Sequence, residues 1–185
     1  MGKPLKFGYE GEGPMLGRRT AYCSYPGVDI GSVFERATDH IVDAVYFVVD
    51  GDPAGFVDSL LRADLKAVRV VTLDFPVRWF YYFDRVKYSI QFLLCDMYTP
   101  LVDLPPLALS RPHTYVKIVC ERADDFPLFV EKANEIANLG HTVLLMPDFE
   151  LENPAKLGQR MMDVFNVLHP NVRIMPPVHH VLGMP

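Results

Sequence analysis

The chain has 185 residues, of which 50% are hydrophobic and 22% are charged, a profile that predicts one globular domain over residues 1–185. The formal net charge is -5, and without a basic run we expect no direct binding of nucleic acid. No apolar run reaches the roughly 18 residues needed to span a membrane and the start of the chain lacks a signal-peptide core, so we expect a cytoplasmic protein.

The first distinctive stretch is rich in glycine. Residues 9–18 read Tyr-Glu-Gly-Glu-Gly-Pro-Met-Leu-Gly-Arg. Glycine reaches backbone angles closed to other residues, so this stretch fits a tight turn that brings main chain close to a ligand. The alternative is an ordinary turn before the first strand.

Strands and helices alternate through the first half of the chain. Residues 44–49 read Ala-Val-Tyr-Phe-Val-Val, a continuous apolar run that is typical of a strand covered on both faces. The same reasoning predicts strands over residues 20–25 and 67–73, and helices over residues 30–43 and 54–63.

The middle of the chain is harder to assign, and regular alternation returns after it. Residues 77–83 are strongly aromatic, residues 86–94 fit one or two strands, and residues 99–112 hold four prolines and read as a loop. The later elements are predicted as strands over residues 115–120, 142–146 and 172–175 and helices over residues 126–138 and 154–168, with Gly140 placed to stop the first of these helices.

This alternation predicts an α/β fold with mostly parallel strands, either an open doubly wound sheet or a curved, partial (β/α) barrel. In both architectures the ligand site lies at the carboxyl ends of the strands. The residues expected at that rim are Pro26, Gly27, the run 50–53, Asp74, Glu121, Pro147 and Asp148.

Several short motifs occur in an order that resembles one enzyme family. They are Glu-Gly-Glu-Gly at 10–13, Gly-Arg at 17–18, a strand end at 22–27, Asp-Gly-Asp-Pro at 50–53 and a closing segment at 172–183. Together they resemble 7-carboxy-7-deazaguanine synthase, a radical S-adenosylmethionine enzyme of the queuosine and 7-deazaguanine pathway. A lysine-bearing strand at 115–119 is also similar.

The resemblance implies a shortened partial barrel of the radical S-adenosylmethionine type. It also implies a pterin or purine-like ligand, a homodimer, and the family's cofactors, which are a 4Fe–4S cluster, S-adenosylmethionine and Mg²⁺. Some viruses use this pathway to modify DNA, so the resemblance is compatible with a viral source. Matched residue by residue, the family's substrate-binding positions are Glu10, Glu12, Gly13 and His179, and its S-adenosylmethionine-binding positions are Gly51, Asp52 and Pro53.

The chain departs from the family where the cluster would be bound. A cluster needs thiolate ligands, which the family places in a Cys-x-x-x-Cys-x-x-Cys motif, and Val28 stands where its first cysteine would be. The cysteines present, Cys23, Cys95 and Cys120, are far apart in sequence, so we expect reduced, mostly buried thiols and no cluster. Ser24 replaces the family's strand arginine, which binds the substrate carboxylate.

Each candidate residue also has a structural interpretation. Glu12 fits a ligand carboxylate or a solvated turn equally well, whereas Asp50 and Asp52 fit a helix-capping turn better than a ligand site. Lys117 in an apolar strand needs a partner or access to the rim. The aromatic run at 79–83 fits the core or a subunit contact better than a stacking site.

The sequence therefore supports three hypotheses. The first is a divergent relative of the synthase that does not catalyse radical chemistry alone. The second is a cluster-free pseudoenzyme that acts as a binding or assembly subunit. The third is different chemistry on the same scaffold, which would use the rim carboxylates without iron.

Overall fold

The computed structural model describes residues 6–9, 18–40, 42–63, 68–86, 89–109, 113–147 and 154–175. The strands are β1 (Lys6–Tyr9), β2 (Arg19–Tyr25), β3 (Ala44–Val49), β4 (Val70–Pro76), β5 (Ser89–Cys95), β6 (Thr114–Cys120), β7 (Val143–Pro147) and β8 (Val172–Ile174). The helices are α1 (Ile30–Asp39), α2 (Pro53–Arg62), α3 (Phe80–Phe83), α4 (Phe126–Asn138) and α5 (Pro154–Phe165).

These elements form an α/β fold whose sheet order follows the chain from β1 to β8. The strands β2 to β8 make a seven-strand parallel sheet, and β1 pairs with β2 in the antiparallel sense. The prediction of an α/β fold with mostly parallel strands is confirmed. Among the described residues, β1 and β8 are the ends of the strand order, and the sheet does not close into a barrel.

The chain divides into two compact units. Among the described residues, the first unit holds 6–9, 18–93 and 113–114 within the ranges above, and the second holds 94–109 and 115–175. Each unit has its own buried apolar residues.

In the first unit, α1 and α2 cover one face of the sheet through an aromatic core. Phe47 of β3 lies between Phe34 of α1 and Phe56 of α2, with ring centroids 6.1 and 5.2 Å apart. Phe75 of β4 stacks on Phe83 of α3 at 3.9 Å. Burying such rings stabilises a fold by about 2–3 kcal/mol each. We therefore assign this face of the sheet to the hydrophobic core.

In the second unit, α4 packs against β7 through buried Val130, Ala133 and Ile136. The helix ends where Gly140, at φ +95°, donates its N–H to the carbonyl of Ala137 at 2.9 Å. That ending confirms the prediction from Gly140, because a residue with a side chain is strained at this φ.

Asn134 of α4 also holds the segment that leads into β8. Its side chain donates to the carbonyl of Val167 and accepts from the N–H of His169, both at 2.8 Å. These two hydrogen bonds fix the approach of the chain to the last strand.

Several predicted boundaries differ from the structure for local reasons. Helix α1 ends at Asp39 rather than at Asp43, because the N–H of Asp43 donates to the carbonyl of Arg19 as the chain enters the sheet. The strand predicted at 67–73 instead spans Val70–Pro76, so it continues through Asp74. Where one or two strands were predicted over 86–94, the described residues contain one strand, β5 (Ser89–Cys95), and β1 was not predicted.

The aromatic run is helical in the structure. Residues Val77–Trp79 form a short 3-10 turn that continues into α3. Phe80 and Phe83 are buried, whereas Tyr81 and Tyr82 are 66% and 49% exposed. The run therefore contributes both to the core and to the surface.

Candidate functional site

The face of the first unit's sheet opposite α1 and α2 carries polar and aromatic residues in two cross-strand rows. Because side chains alternate between faces along a strand, the neighbours of Phe47 on β3 point away from the helices. The strand register places Tyr22, Tyr46 and Thr72 in one row, and Ser24, Val48 and Asp74 in the next row towards the carboxyl ends. We call these six residues the polar face.

A buried hydrogen bond joins the two rows of the polar face. The hydroxyl of Tyr46 donates to Oδ2 of Asp74 at 2.8 Å, and the two residues are only 3% and 4% exposed. A carboxylate this deeply buried is costly unless hydrogen bonds compensate for the lost water. The tyrosine supplies one of them, at Oδ2 of the Asp74 side chain.

Aromatic rings line the lower row. The rings of Tyr22 and Tyr46 have centroids 5.6 Å apart, and the ring of Tyr46 lies 6.1 Å from Phe92 of β5 in a stacked arrangement. The intervening residue on β4 is Thr72, whose small side chain leaves space for the rings on either side of it. Tyr46, Thr72 and Phe92 are buried and Tyr22 is half-buried, so the lower row is a packed aromatic layer beneath the upper row.

The upper row is open to solvent at its centre. Val48 is 38% exposed, although the other residues of β3 are all buried. Its cross-strand neighbours are half-buried Ser24 and buried Asp74. Val48, near the carboxyl end of β3, is therefore an accessible apolar side chain between a hydroxyl and a carboxyl group.

The rim residues predicted from Asp-Gly-Asp-Pro lie at the carboxyl end of β3, as expected. Gly51 has φ +125° and Asp52 has φ +25°, backbone angles that bring the chain sharply from the strand into α2. Oδ1 of Asp52 accepts the N–H of Gly55 at 3.0 Å, and Pro53 is the first residue of α2. The capping interpretation of Asp52 is confirmed.

The turn after β2 lies beside this cap. The N–H of Asp50 donates to the carbonyl of Tyr25 at 3.0 Å, and the peptide bond between Tyr25 and Pro26 is cis. A Cβ on Gly51 would lie 3.7 Å from Cδ of Pro26. The two turns therefore form one continuous edge next to Ser24 and Val48.

Other candidate positions are placed differently or lie outside the described residues. Asp74, expected after its strand, is a buried member of β4, and Lys117 is buried within β6 of the second unit. The predicted substrate-binding residues Glu10, Glu12, Gly13 and His179, together with Asp148, lie outside the described residues.

The cysteines do not suit an iron–sulfur cluster. Each thiol is buried and has a carbonyl acceptor: Tyr46 at 3.4 Å for Cys23, Asp96 at 3.6 Å for Cys95 and Arg122 at 3.1 Å for Cys120. Burial raises the pKa of all three thiols, that of Cys23 to about 12. Cluster ligands are thiolates, so a metal would have to displace a proton from each of these separately bonded thiols.

The connection that would carry cluster cysteines is also too short. Strand β2 ends at Tyr25 and α1 begins at Ile30, which leaves residues 26–29. The Cys-x-x-x-Cys-x-x-Cys motif is longer than this connection. Within the described ranges, no group of three or more His, Cys, Asp or Glu side chains is placed to hold a metal ion.

The polar face was missed at the sequence level, but a signal for it exists. Residues with hydroxyl or carboxylate groups recur two positions apart on β2 and on β4, the strands on either side of β3, as Tyr22 with Ser24 and as Thr72 with Asp74. A period of two on parallel strands places such residues on one face. Tyr46, between them on β3, completes the pattern.

Comparison of the chain with protein-family models finds no matching family, and comparison with curated proteins finds no match. In the part of the chain that the structure describes, no helix is both long enough and apolar enough to cross a bilayer. The resemblance to the synthase therefore stays a prediction.

Proposed function

We propose that this chain is a cluster-free relative of 7-carboxy-7-deazaguanine synthase that binds a planar purine- or pterin-like ligand on the polar face. The observation that supports the proposal best is the exposed Val48 next to the buried pair of Tyr46 and Asp74. Carboxylates accept the N–H groups of such heterocycles, and aromatic and apolar side chains stack against their rings. A position at the carboxyl ends of parallel strands suits a ligand site.

The proposal includes no radical chemistry by the isolated chain and no iron–sulfur cofactor. The protonated, separately bonded thiols and the short connection after β2 support this part. Three reduced thiols also agree with a cytoplasmic location, which we include in the proposal. Anaerobic reconstitution with iron and sulfide tests it: stoichiometric iron and sulfide with visible absorbance would overturn it, and loosely bound iron that a desalting column removes would agree with it.

Calorimetric titration with 7-deazaguanine tests the binding function. We expect saturable binding to the wild-type chain and a loss of about tenfold or more for Val48→Trp, which fills the open position with a large side chain. Leu61→Trp on α2 is the matched control, because Leu61 is also an exposed apolar residue of the first unit. Equal binding by Val48→Trp would place the ligand elsewhere, and no binding by the wild type would refute the proposal.

A second candidate, an assembly subunit, is favoured by one observation. Tyr81 and Tyr82 of α3 are exposed, next to half-buried Trp79, and exposed aromatic groups are enriched at protein interfaces. This candidate predicts a homodimer that Tyr81→Ser with Tyr82→Ser dissociates in analytical ultracentrifugation, while Tyr98→Ser leaves it intact. A monomeric wild-type chain would exclude the homodimer.

A further inference from the structure

The second unit exposes apolar side chains along α4. They belong to the segment 96–109, which follows β5, and to one stripe of α4. Single exposed apolar residues are ordinary in soluble proteins, but a contiguous group of them marks an interaction site. Six such side chains, each 48% exposed or more, make up what we call the apolar surface: Tyr98, Val102, Leu107, Leu109, Leu128 and Leu139.

Two contacts hold the segment 96–109 along α4. Nζ of Lys132 donates to the carbonyl oxygen of Thr99 at 2.9 Å. Further along both chains, Gly140 lies against Leu107, since a Cβ on this glycine would be 2.7 Å from Cδ2 of the leucine. The segment and the second half of α4 therefore run side by side.

The exposed leucines of α4 lie next to this segment. Leu128 precedes Lys132 by four residues and Leu139 follows it by seven, and these spacings place side chains on one face of a helix. Lys132 is the residue that reaches the segment at Thr99. The apolar side chains of the helix and of the segment therefore lie on the same side of the unit.

Tyr98 and Val102 are 92% and 89% exposed, although hydrogen bonds fix the backbone around them. The N–H of Tyr98 donates to Oδ1 of Asp96 at 2.9 Å, and the N–H of Asp103 donates to the carbonyl of Pro100 at 3.0 Å. A segment fixed in this way loses little conformational entropy when a partner binds. Tyrosine is also enriched among the residues that contribute most to binding at protein interfaces.

The charged side chains of the segment and of α4 are mainly acidic. Within residues 96–109 and 126–140 the one basic residue is Lys132, whose ammonium group is bonded to the segment. The same ranges contain four exposed carboxylates: Asp96, Asp103, Glu131 and Glu135.

Two arginines near the start of α4 are already engaged. Arg122 pairs with Asp125 at 3.6 Å, and Nη1 of Arg160 donates to the carbonyl of Ala123 at 2.6 Å. Arg111, which follows the segment, lies outside the described residues. Among the described residues, the charges beside the apolar surface are therefore complementary to a basic partner.

We propose that the apolar surface docks a basic amphipathic segment of another protein. The inference is independent of the ligand binding proposed above. The apolar side chains of such a segment would cover the exposed leucines, Tyr98 and Val102, and its lysine or arginine side chains would meet the four carboxylates. A second copy of this chain is a poorer occupant, because a two-fold contact brings the same surface of both copies together and would oppose carboxylates with carboxylates.

The test uses a fluorescently labelled helical peptide of leucine and lysine, with its leucines on one face, titrated with the full chain and followed by anisotropy. We expect saturable binding to the wild type and a loss of about tenfold or more when Tyr98→Ser is combined with Val102→Ser. Tyr81→Ser with Tyr82→Ser is the matched control, because it removes exposed side chains of the first unit, and should leave the affinity unchanged.

A second pair of variants tests the charges. Glu135→Lys should weaken binding of the leucine–lysine peptide by about threefold or more, because it replaces a carboxylate beside the apolar surface with an ammonium group. Glu35→Lys on the exposed side of α1 changes the net charge equally and should have a smaller effect. Equal effects of the two variants would overturn the proposal.

The remaining outcomes are equally decisive. No binding by the wild type, or equal binding by the variant that lacks Tyr98 and Val102, would overturn the proposal. If that variant fails to fold by circular dichroism, a peptide with glutamate in place of lysine tests the wild type, and equal binding of the two peptides would overturn the proposal. A wild-type dimer that Glu135→Lys stabilises in analytical ultracentrifugation would assign the surface to a second copy instead.

Discussion

Removing the phenolic hydroxyl of Tyr46 is the most direct test of the polar face. Tyr46→Phe keeps the ring and its contacts with Tyr22 and Phe92, so little apolar burial is lost. It removes a 2.8 Å hydrogen bond to the buried carboxylate of Asp74, and hydrogen bonds to charged groups contribute about 1.5–3 kcal/mol. We expect the free energy of unfolding to fall by about 2 kcal/mol, which lowers the urea midpoint by about 1 M if the m-value is about 2 kcal/mol/M.

Urea unfolding followed by the fluorescence of Trp79, the single tryptophan of the chain, measures this change in the first unit. A double-mutant cycle with Asp74→Asn isolates the pair, because the hydroxyl contributes less when its acceptor is neutral. Tyr81→Phe, at an exposed position, is the control and should change stability by less than about 0.5 kcal/mol. If Tyr46→Phe behaves like this control, the hydroxyl does not compensate for the burial of Asp74 and the reasoning fails.

Three further predictions concern single side chains. Asp52→Ala should lower the free energy of unfolding by about 1 kcal/mol through loss of the helix cap, whereas Asp50→Ala should leave it unchanged. Equal losses of stability for the two variants in urea unfolding would contradict the capping role of Asp52. Burial lowers the pKa of His141 below its usual 6.5, so its contribution to stability is complete above pH 6.5 and is lost as the pH falls below it. Between pH 7 and 5, the free energy of unfolding of His141→Asn should therefore fall less than that of the wild type. The control is His113→Asn at an exposed position, and the same pH dependence of stability for His141→Asn and the wild type would refute this prediction. Burial raises the pKa of Cys23 to about 12, so a thiol reagent should label it only after unfolding, which peptide mass mapping would show. Rapid labelling of the native protein would contradict the burial of this thiol.

The elements predicted most accurately are those in which a clear hydrophobic pattern is bounded by residues that begin or end an element. Strand β3 was predicted to the residue because an apolar run ends at Asp-Gly-Asp-Pro, and α4 because an amphipathic pattern begins near a proline and ends before Gly140. The bounds predicted for β4 were displaced because we ended the strand before Asp74, and a charged residue usually ends a buried strand. Asp74 does not end it, since Tyr46 compensates from another strand, and local patterns do not contain that information.

The sequence predicted that Asp52 lies at the carboxyl end of β3, and the structure places it there as a helix cap. The polar face escaped prediction because its members come from three strands that are far apart in sequence and meet only through the parallel register. In the sequence, Tyr46 is one of several large residues in an apolar run. Its hydrogen bond to Asp74 becomes visible only in the structure.

The connection after β2 cannot accommodate the Cys-x-x-x-Cys-x-x-Cys motif through a single substitution. Val28→Cys would supply one of three thiolates, and residues 26–29 leave no length for the others. The start of α1 is also fixed, because Asp29 caps it through the N–H of Ser32, so the connection cannot gain residues from the helix without losing that cap. Cys23 faces the core beside Phe47 on β3, and turning it towards the rim would require a register shift of the whole strand. A cluster site in this connection would therefore need an inserted loop.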